Sequence, residues 1–215
     1  VAREPDRRGH ARRTGGKRIG EGRRSRAAIL QAAVDLSAER GYNAVTMEAI
    51  ASRAHVGKPT LYRWWSSKGT LFLDALTERF GEPYFQVGDT GDLIADLRNW
   101  LYGITELFLD PVLSDLVAGV AGAAQHDPEL AAILHQQLHL ALSGRNQERI
   151  RAGQRDGQLI GFDPLLLEDL LVAPLWYRLL ITARPISRAY ADTILNTVLS
   201  AAAPSSGQQH PCWRS

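Results

Sequence analysis

Between Val56 and Lys68 the chain reads VGKPTLYRWWSSK. Three cations (Lys58, Arg63 and Lys68), the hydroxyls of Thr60 and Tyr62, and two adjacent tryptophans fall within one short run. Cations and hydroxyl donors at this density suit phosphate oxygens, and side chains of this reach also touch base edges. Neighbouring helical residues differ by about 100°, so Trp65 can face a core while Trp64 faces out. The chemistry is recognition of a polyanion rather than bond-making. The sequence holds neither a glycine-rich phosphate loop nor a G-x-S-x-G elbow, and no enzyme is expected. His135 and His139 stand at i, i+4, a spacing that lets two imidazoles share a metal on a helix. With no cysteine cluster and no H-E-x-x-H beside them, they read better as residues facing a pocket, and no metal or cofactor is expected.

These side chains need elements to hold them. Ile29, Ala33 and Leu36 recur at i, i+4 and i+7, which is one face of a helix, and Gly41 after Arg40 stops it. Thr46 suits the N-cap of a short second helix, with Glu48 in its first turn and Ile50 and Ala51 facing inward. Residues 54–57 break that helix. Pro59 fits the first turn of a third, where its missing N–H costs nothing. Ser66 or Ser67 caps a fourth, with Leu71, Phe72, Ala75 and Leu76 as its apolar face. Three short helices with a tight turn before the third form a helix-turn-helix, whose second helix enters the major groove.

Helical signals continue downstream. Residues 92–110 carry Leu93, Leu97, Leu101, Ile104 and Phe108 on one side, and Pro111 opens the next helix. Asp127-Pro128 and Asp163-Pro164 are start signals, for a long helix reaching about residue 156 and for another that Pro185 ends. A last helix is expected over residues 187–201. The reading is all-α, about nine helices, with no alternating strand pattern. The longest uncharged apolar runs, such as residues 170–177, are too short to span a bilayer. No apolar run follows the basic N-terminus, and the lone Cys212 cannot form an internal disulfide. A cytoplasmic protein without a membrane partner is expected.

The formal net charge is +2, but it is unevenly spread. Residues 1–26 hold ten basic side chains against three acidic ones, which leaves the remainder net acidic. A basic arm on an acidic body suits a polyanion partner. Residues 1–22, rich in Arg and Gly without apolar period, are expected to be disordered when free. The organisation expected is thus an arm over 1–22, a helix-turn-helix domain over 23–68, an effector-binding and dimerisation domain over 69–203, and a loose tail over 204–215.

The run R-x-x-I-L-x-A-A-x-x-L ending at Gly41, followed by TMEAIASRAHVGKPTLYRWWSSKGTL, resembles the DNA-binding domain of the TetR (tetracycline repressor) family over residues 24–76. The resemblance implies that Thr46 bonds a phosphate and that Lys58, Pro59 and Thr60 meet the groove. It further implies that Tyr62 and Lys68 hold phosphates and that Arg23, Arg24 and Arg26 lie near the backbone or minor groove. It places Glu48 near the bases, where a carboxylate can accept from cytosine N4. Arg63 and Trp64 complete the expected contact set. Three residues depart from the family pattern: His55 replaces a turn glycine, Ser37 an apolar residue, and Trp64 the usual His or Tyr.

The family layout also implies a helical domain that binds a small effector and pairs with a second copy. Trp100, Ile104, Phe108, Trp176, Tyr177, His135 and His139 are the candidates to face a small apolar or amphipathic effector. Leu166, Leu170, Leu180, Ile194, Val198 and Leu199, with Trp176, are the apolar candidates for a four-helix seam between two copies. The expected function is a homodimeric repressor on a palindromic double-stranded operator. The other reading is a small-molecule-binding helical protein whose role on DNA is minor or activating.

Overall fold

The computed structural model describes residues 14–136 and 144–202. Among these the chain is all-helical, with ten α-helices. They are α1 (Thr14–Arg40), α2 (Met47–Arg53), α3 (Lys58–Tyr62), α4 (Lys68–Phe85), α5 (Leu93–Leu109), α6 (Pro111–Ala124), α7 (Pro128–Leu134), α8 (Gly144–Arg155), α9 (Pro164–Tyr177) and α10 (Arg188–Ala202). A π-helical turn, Arg178–Thr182, extends α9 and ends at Ala183, whose φ of 49° breaks the helix before Pro185.

The helix starts follow their caps. Asp92, Asp110, Asp127 and Asp163 each accept from backbone N–H groups of the turn they open, at 2.8–3.1 Å, satisfying donors that have no helical partner. Proline follows in α6, α7 and α9. Of the stretch read as one helix from 128 to 156, α7 and α8 are described and 137–143 lie outside the described residues; the ten helices agree with the about nine expected. One expectation changes. Helix α1 begins at Thr14, inside the segment expected to be disordered; once a helix is nucleated, each further residue adds a hydrogen bond for one more ordered residue. The remainder of the arm, residues 1–13, and the tail from 203, with Cys212, lie outside the described residues.

Two compact units divide between Ala75 and Leu76, within α4 rather than at its start. The first half of α4 belongs to the N-terminal unit because Leu71, Phe72, Leu73 and Ala75 are buried there, with Phe72 5.1 Å from the ring of Tyr42. In that unit α1 buries Ile29, Leu30, Ala33 and Leu36. Gly41, at φ 77°, closes α1 by donating to Ser37 O at 2.8 Å. Ser37 itself is buried and its hydroxyl has no partner among the described residues, which is the local cost of a polar residue at an apolar position.

The C-terminal unit is built round α5. Leu93, Leu97, Trp100, Leu101, Ile104 and Phe108 meet Ile150 of α8, Leu167, Leu171 and Leu175 of α9, and Ala191, Ile194 and Leu195 of α10 in one core. Helices α5 and α6 turn by 93° at Asp110-Pro111. No single described helix is long and apolar enough to cross a membrane.

A polar strap, absent from the sequence reading, fixes the segment between α4 and α5. Arg149 of α8 donates to Asp96 Oδ2 at 2.8 Å and to Gly88 O at 3.1 Å, and its Nε lies 3.1 Å from Asp89. Thr90 donates to Asp96 through both its backbone N–H and its hydroxyl. Asn146 accepts from Val87 N at 2.8 Å and donates to Glu168. Gln158 accepts from Leu93 N at 2.7 Å and donates to Gly91 O. Gly153 lets α8 approach: a Cβ there would stand 2.4 Å from Leu93 Cδ2. Burial pushes the Asp96 carboxyl upward, but the Thr90 hydroxyl, Arg149 and the Thr90 N–H outweigh it and hold the carboxyl below its ordinary value.

Because Asp96 and Arg149 are both buried, removing the cation leaves a charge without its partner. Arg149→Met should cost about 3–5 kcal/mol in urea denaturation at pH 7. The lowered Asp96 carboxyl contributes stability above its unfolded pKa of about 3.9, lost as pH falls through the lower folded value. Asp96→Asn should therefore flatten the acid limb of the stability profile below about pH 4.

Candidate nucleic-acid interface

Helix α3 has only five residues, too few to persist alone, so its neighbours must hold it. Leu61 is fully buried and Trp65, just past its end, is 4 % exposed. Trp65 Nε1 donates to Asp74 Oδ2 of α4 at 2.8 Å, and the other carboxylate oxygen accepts from Arg26 of α1 at 2.6 Å. One carboxylate thus ties α1, α4 and the exit of α3. The entry to α3 is set by the turn. Val56 N donates to Ala51 O at 3.0 Å, and His55 takes φ 54°, the left-handed conformation expected where it replaces glycine. Thr46 caps α2 by accepting from Ala49 N at 3.2 Å, and Met47, Ile50 and Ala51 face inward. Arg53 of α2 meets Glu39 of α1 through two hydrogen bonds of 2.8 and 2.7 Å, and its bond holds the Glu39 carboxyl below the usual range.

With Leu61 and Trp65 turned in, the opposite face of α3 turns out. Lys58, Pro59, Tyr62, Arg63 and Trp64 are exposed, and Thr60 is half-buried. Trp64 is 45 % exposed, so the adjacent tryptophans divide as their helical phase requires. The Arg63 guanidinium lies 5.8 Å from the Trp64 ring centroid. Arg24 is exposed on α1, and Arg23 lies on the same helix. Glu48, in the first turn of α2, pairs with Lys58 at 2.8 Å. Its hydrogen bond with Lys58, then its own backbone N–H, the Lys58 charge and the Thr46 hydroxyl hold the Glu48 carboxyl below its ordinary value against a small opposing effect of burial.

Besides Thr46, Glu48 and Lys58, two more of the expected contact residues are engaged within the protein. Arg26 is half-buried and committed to Asp74. Lys68 is half-buried, donates to Tyr42 O at 2.9 Å and Asn43 O at 3.4 Å, and lies 4.2 Å from the Tyr42 ring centroid. Both tie elements together because the loop carbonyls and Asp74 would otherwise lack these donors. Asp74 was the readable clue: a carboxylate one residue from Ala75 on the apolar face of α4 needs a partner.

In the C-terminal unit, Trp100, Ile104 and Phe108 are buried together in the core, and Trp176 packs edge-on against Phe108 at 5.1 Å. Trp100 Nε1 is buried with no hydrogen-bond partner among the described residues. Tyr177 does not join them: one residue on from Trp176, it is rotated outward and exposed. His135 is exposed at the end of α7, and His139 lies outside the described residues. Among those residues no three His, Cys, Asp or Glu side chains converge to hold a metal. Of the seam candidates, Leu166, Leu170 and Leu180 are exposed, while Ile194 is buried in the subunit's own core with Val198 and Leu199 half-buried against it. Ile194 falls on the face of α10 that meets α5 and α9, alongside Ala191 and Leu195. Ile181, not anticipated, is 70 % exposed.

Comparison with known proteins gives two family matches, one on each side of residues 76–86. Residues 29–75 match the model for bacterial regulatory proteins of the tetR family, and residues 87–198 match the tetracyclin repressor-like C-terminal domain. The chain is 33 % identical over 178 residues to the HTH-type transcriptional regulator YdeS of Bacillus subtilis (strain 168), covering 79 % of this chain and 85 % of that protein. It is 29 % identical over 184 residues to the DNA-binding transcriptional repressor TetR of Mycobacteroides abscessus, covering 84 % and 95 %. The crystal structure of the TetR family transcription regulator SCO0332 superposes with a TM-score of 0.68 at 32 % identity, over 84 % of this chain and 99 % of that one.

The two tryptophans should separate in a stability measurement. Trp65→Ala should cost about 3–5 kcal/mol, and Trp64→Ala should stay within about 0.5 kcal/mol of wild type, both read from urea denaturation.

Proposed function

The chain belongs to the tetR family of bacterial regulatory proteins and is a helix-turn-helix transcriptional regulator, and from that membership we propose that it is a cytoplasmic repressor acting as a homodimer on a palindromic operator. The observation that carries this reading is the outward face of α3. A helix anchored by Leu61 and Trp65 offers Lys58, Tyr62, Arg63 and Trp64 on its free side, as a groove-reading helix requires. Selection of bound duplexes from random DNA, followed by footprinting, tests it: the recovered sites should be two-fold symmetric, and Arg63→Ala should lower affinity for them. Recovery of unrelated sequences would reject operator recognition.

A second copy is the partner proposed for α9. Leu166, Leu170, Tyr177, Leu180 and Ile181 are exposed along α9 and its π-helical extension, at offsets that keep an apolar stripe on one side. Beside it α10 turns out Ala189, Thr193, Asn196, Thr197 and Ser200, short side chains that let another helix come close. Because Ile181 and Leu170 contribute little to the subunit core, Ile181→Asp and Leu170→Asp should give folded monomers of unchanged helicity by sedimentation and circular dichroism. A wild-type chain that is monomeric at micromolar concentration would remove the seam.

The effector site is proposed round Trp100, Ile104, Phe108 and Trp176. Trp100 Nε1 supports it, since a buried donor without a partner costs about 1–3 kcal/mol and an acceptor on a ligand would relieve that cost. The class implied is an apolar molecule with one hydrogen-bond acceptor. Effector binding releases the operator only if it favours a state of the dimer in which the two recognition helices no longer match the half-sites. Trp100→Phe keeps an aromatic ring and removes the donor together with the pyrrole part of the indole. The smaller ring costs some packing, and ligands carrying an acceptor should lose about fivefold or more in affinity beyond any change seen with their hydrocarbon analogues.

A further inference from the structure

Three cations of the N-terminal unit are paired with carboxylates. Arg26 meets Asp74, Arg53 meets Glu39, and Lys58 meets Glu48. The first two pairs join helices of the scaffold. The third is different, because Lys58 opens α3 and stands at the end of that helix which faces outward. Ten residues separate Glu48 from Lys58, and the turn brings them together. The left-handed His55 and the Val56–Ala51 hydrogen bond fold the start of α3 back on α2, and Glu48 Oε1 comes to 2.8 Å from Lys58 Nζ. Both side chains stay more than half exposed, at 52 % and 57 %. With both partners largely in water, the pair contributes little to the stability of the fold.

We propose that Glu48 is a specificity-determining residue that works through Lys58, holding its ammonium back from sequence-independent contact with phosphates. This rests on the reading of α3 as the groove-entering helix. Non-specific binding to DNA is a sum of phosphate contacts, each released by salt. A lysine already paired with a carboxylate contributes little to that sum. An exposed pair is weak and salt-sensitive, so a close and well-fitted groove can still draw Lys58 away from Glu48, while a loosely apposed phosphate backbone competes poorly. The pair therefore lowers affinity for every sequence but lowers it least on the operator. Glu48 is a positioning residue in this account and touches no base.

The test is a double-mutant cycle in the full chain, using wild type, Glu48→Gln, Lys58→Gln and the double variant. Each is titrated with salt on an operator duplex and on a scrambled duplex of the same length. Glu48→Gln should steepen the salt dependence on scrambled DNA by one phosphate contact, about 0.9 in slope. Its advantage over wild type there should then be about three- to fourfold greater at 50 mM salt than at 200 mM. The ratio of operator to scrambled affinity should fall. With Lys58 already replaced, Glu48→Gln should leave the slope unchanged. An equal gain with and without Lys58 would mean simple repulsion between Glu48 and DNA, and would overturn the role through Lys58. So would a loss of operator affinity with scrambled DNA unaffected, which would mean that Glu48 presents Lys58 to the operator. A loss of preference confined to one operator position, tested with Glu48→Ala, would mean that the carboxylate reads cytosine and would overturn it as well. A wild-type chain that binds neither duplex would remove the groove-entering reading itself, and this role with it; the other three outcomes remove only the role of Glu48.

Discussion

A five-residue helix does not hold itself together. One turn fixes several backbone dihedrals for very few hydrogen bonds, so α3 exists because something outside it makes the arrangement worthwhile. That support is the burial of Leu61 and Trp65, completed by the bond from Trp65 to Asp74. Asp74 takes Arg26 as its second partner, and in this way a single carboxylate fixes three separate pieces of chain. Every outward property of α3 derives from that inward commitment. Trp64 is exposed because Trp65 cannot be, and Tyr62 and Arg63 flank Leu61 on the free side for the same reason.

Much of this was legible in the sequence where the signal was local. The N-caps at Thr46, Asp127 and Asp163, the stop at Gly41 and the left-handed His55 are decided within a few residues. Local chemistry is what one sequence displays. The opposite phases of Trp64 and Trp65 were legible too, since they need only the helical repeat. The partners of Arg26 and Lys68 were not. Both are basic residues near a groove-reading motif, and only the tertiary arrangement shows that Asp74 and the loop carbonyls of Tyr42 and Asn43 claim them. The surroundings of Tyr177 and Ile194 were hidden for a related reason. An apolar residue on an amphipathic helix has to face something apolar, but its own core and a second subunit leave the same mark in sequence.

The strap on the segment between α4 and α5 was invisible for another reason. Asn146, Arg149 and Gly153 lie on a helix that is polar overall, so its buried edge is written in residues that usually signify solvent. Arg149 can be buried because Asp96, Asp89 and Gly88 O surround its guanidinium with acceptors. Asn146 can be buried because both ends of its amide are used. The backbone between α4 and α5 is held by side chains of other elements: Val87 N by Asn146, Gly88 O by Arg149, Thr90 N by Asp96 and Gly91 O by Gln158. A connection that looks like a loop in sequence is thus tied at four backbone groups.

The π-helical turn at Arg178–Thr182 has a consequence for the phase of the apolar stripe. A π-turn fits one residue more into a turn than an α-helix does, so it works like an extra tooth in a gear. Residues after it come round later than continuous α-helical winding would bring them. Leu180 and Ile181 share the exposure of Leu166 and Leu170 with that delay built in. Excising one residue from this turn would restore plain α-winding and advance the residues beyond it by about 100°. The outermost teeth would then be retimed against those nearer the start of the helix. The length of this chain between Asp163 and Pro185 is therefore as much a part of the face that α9 presents as the identity of any leucine on it.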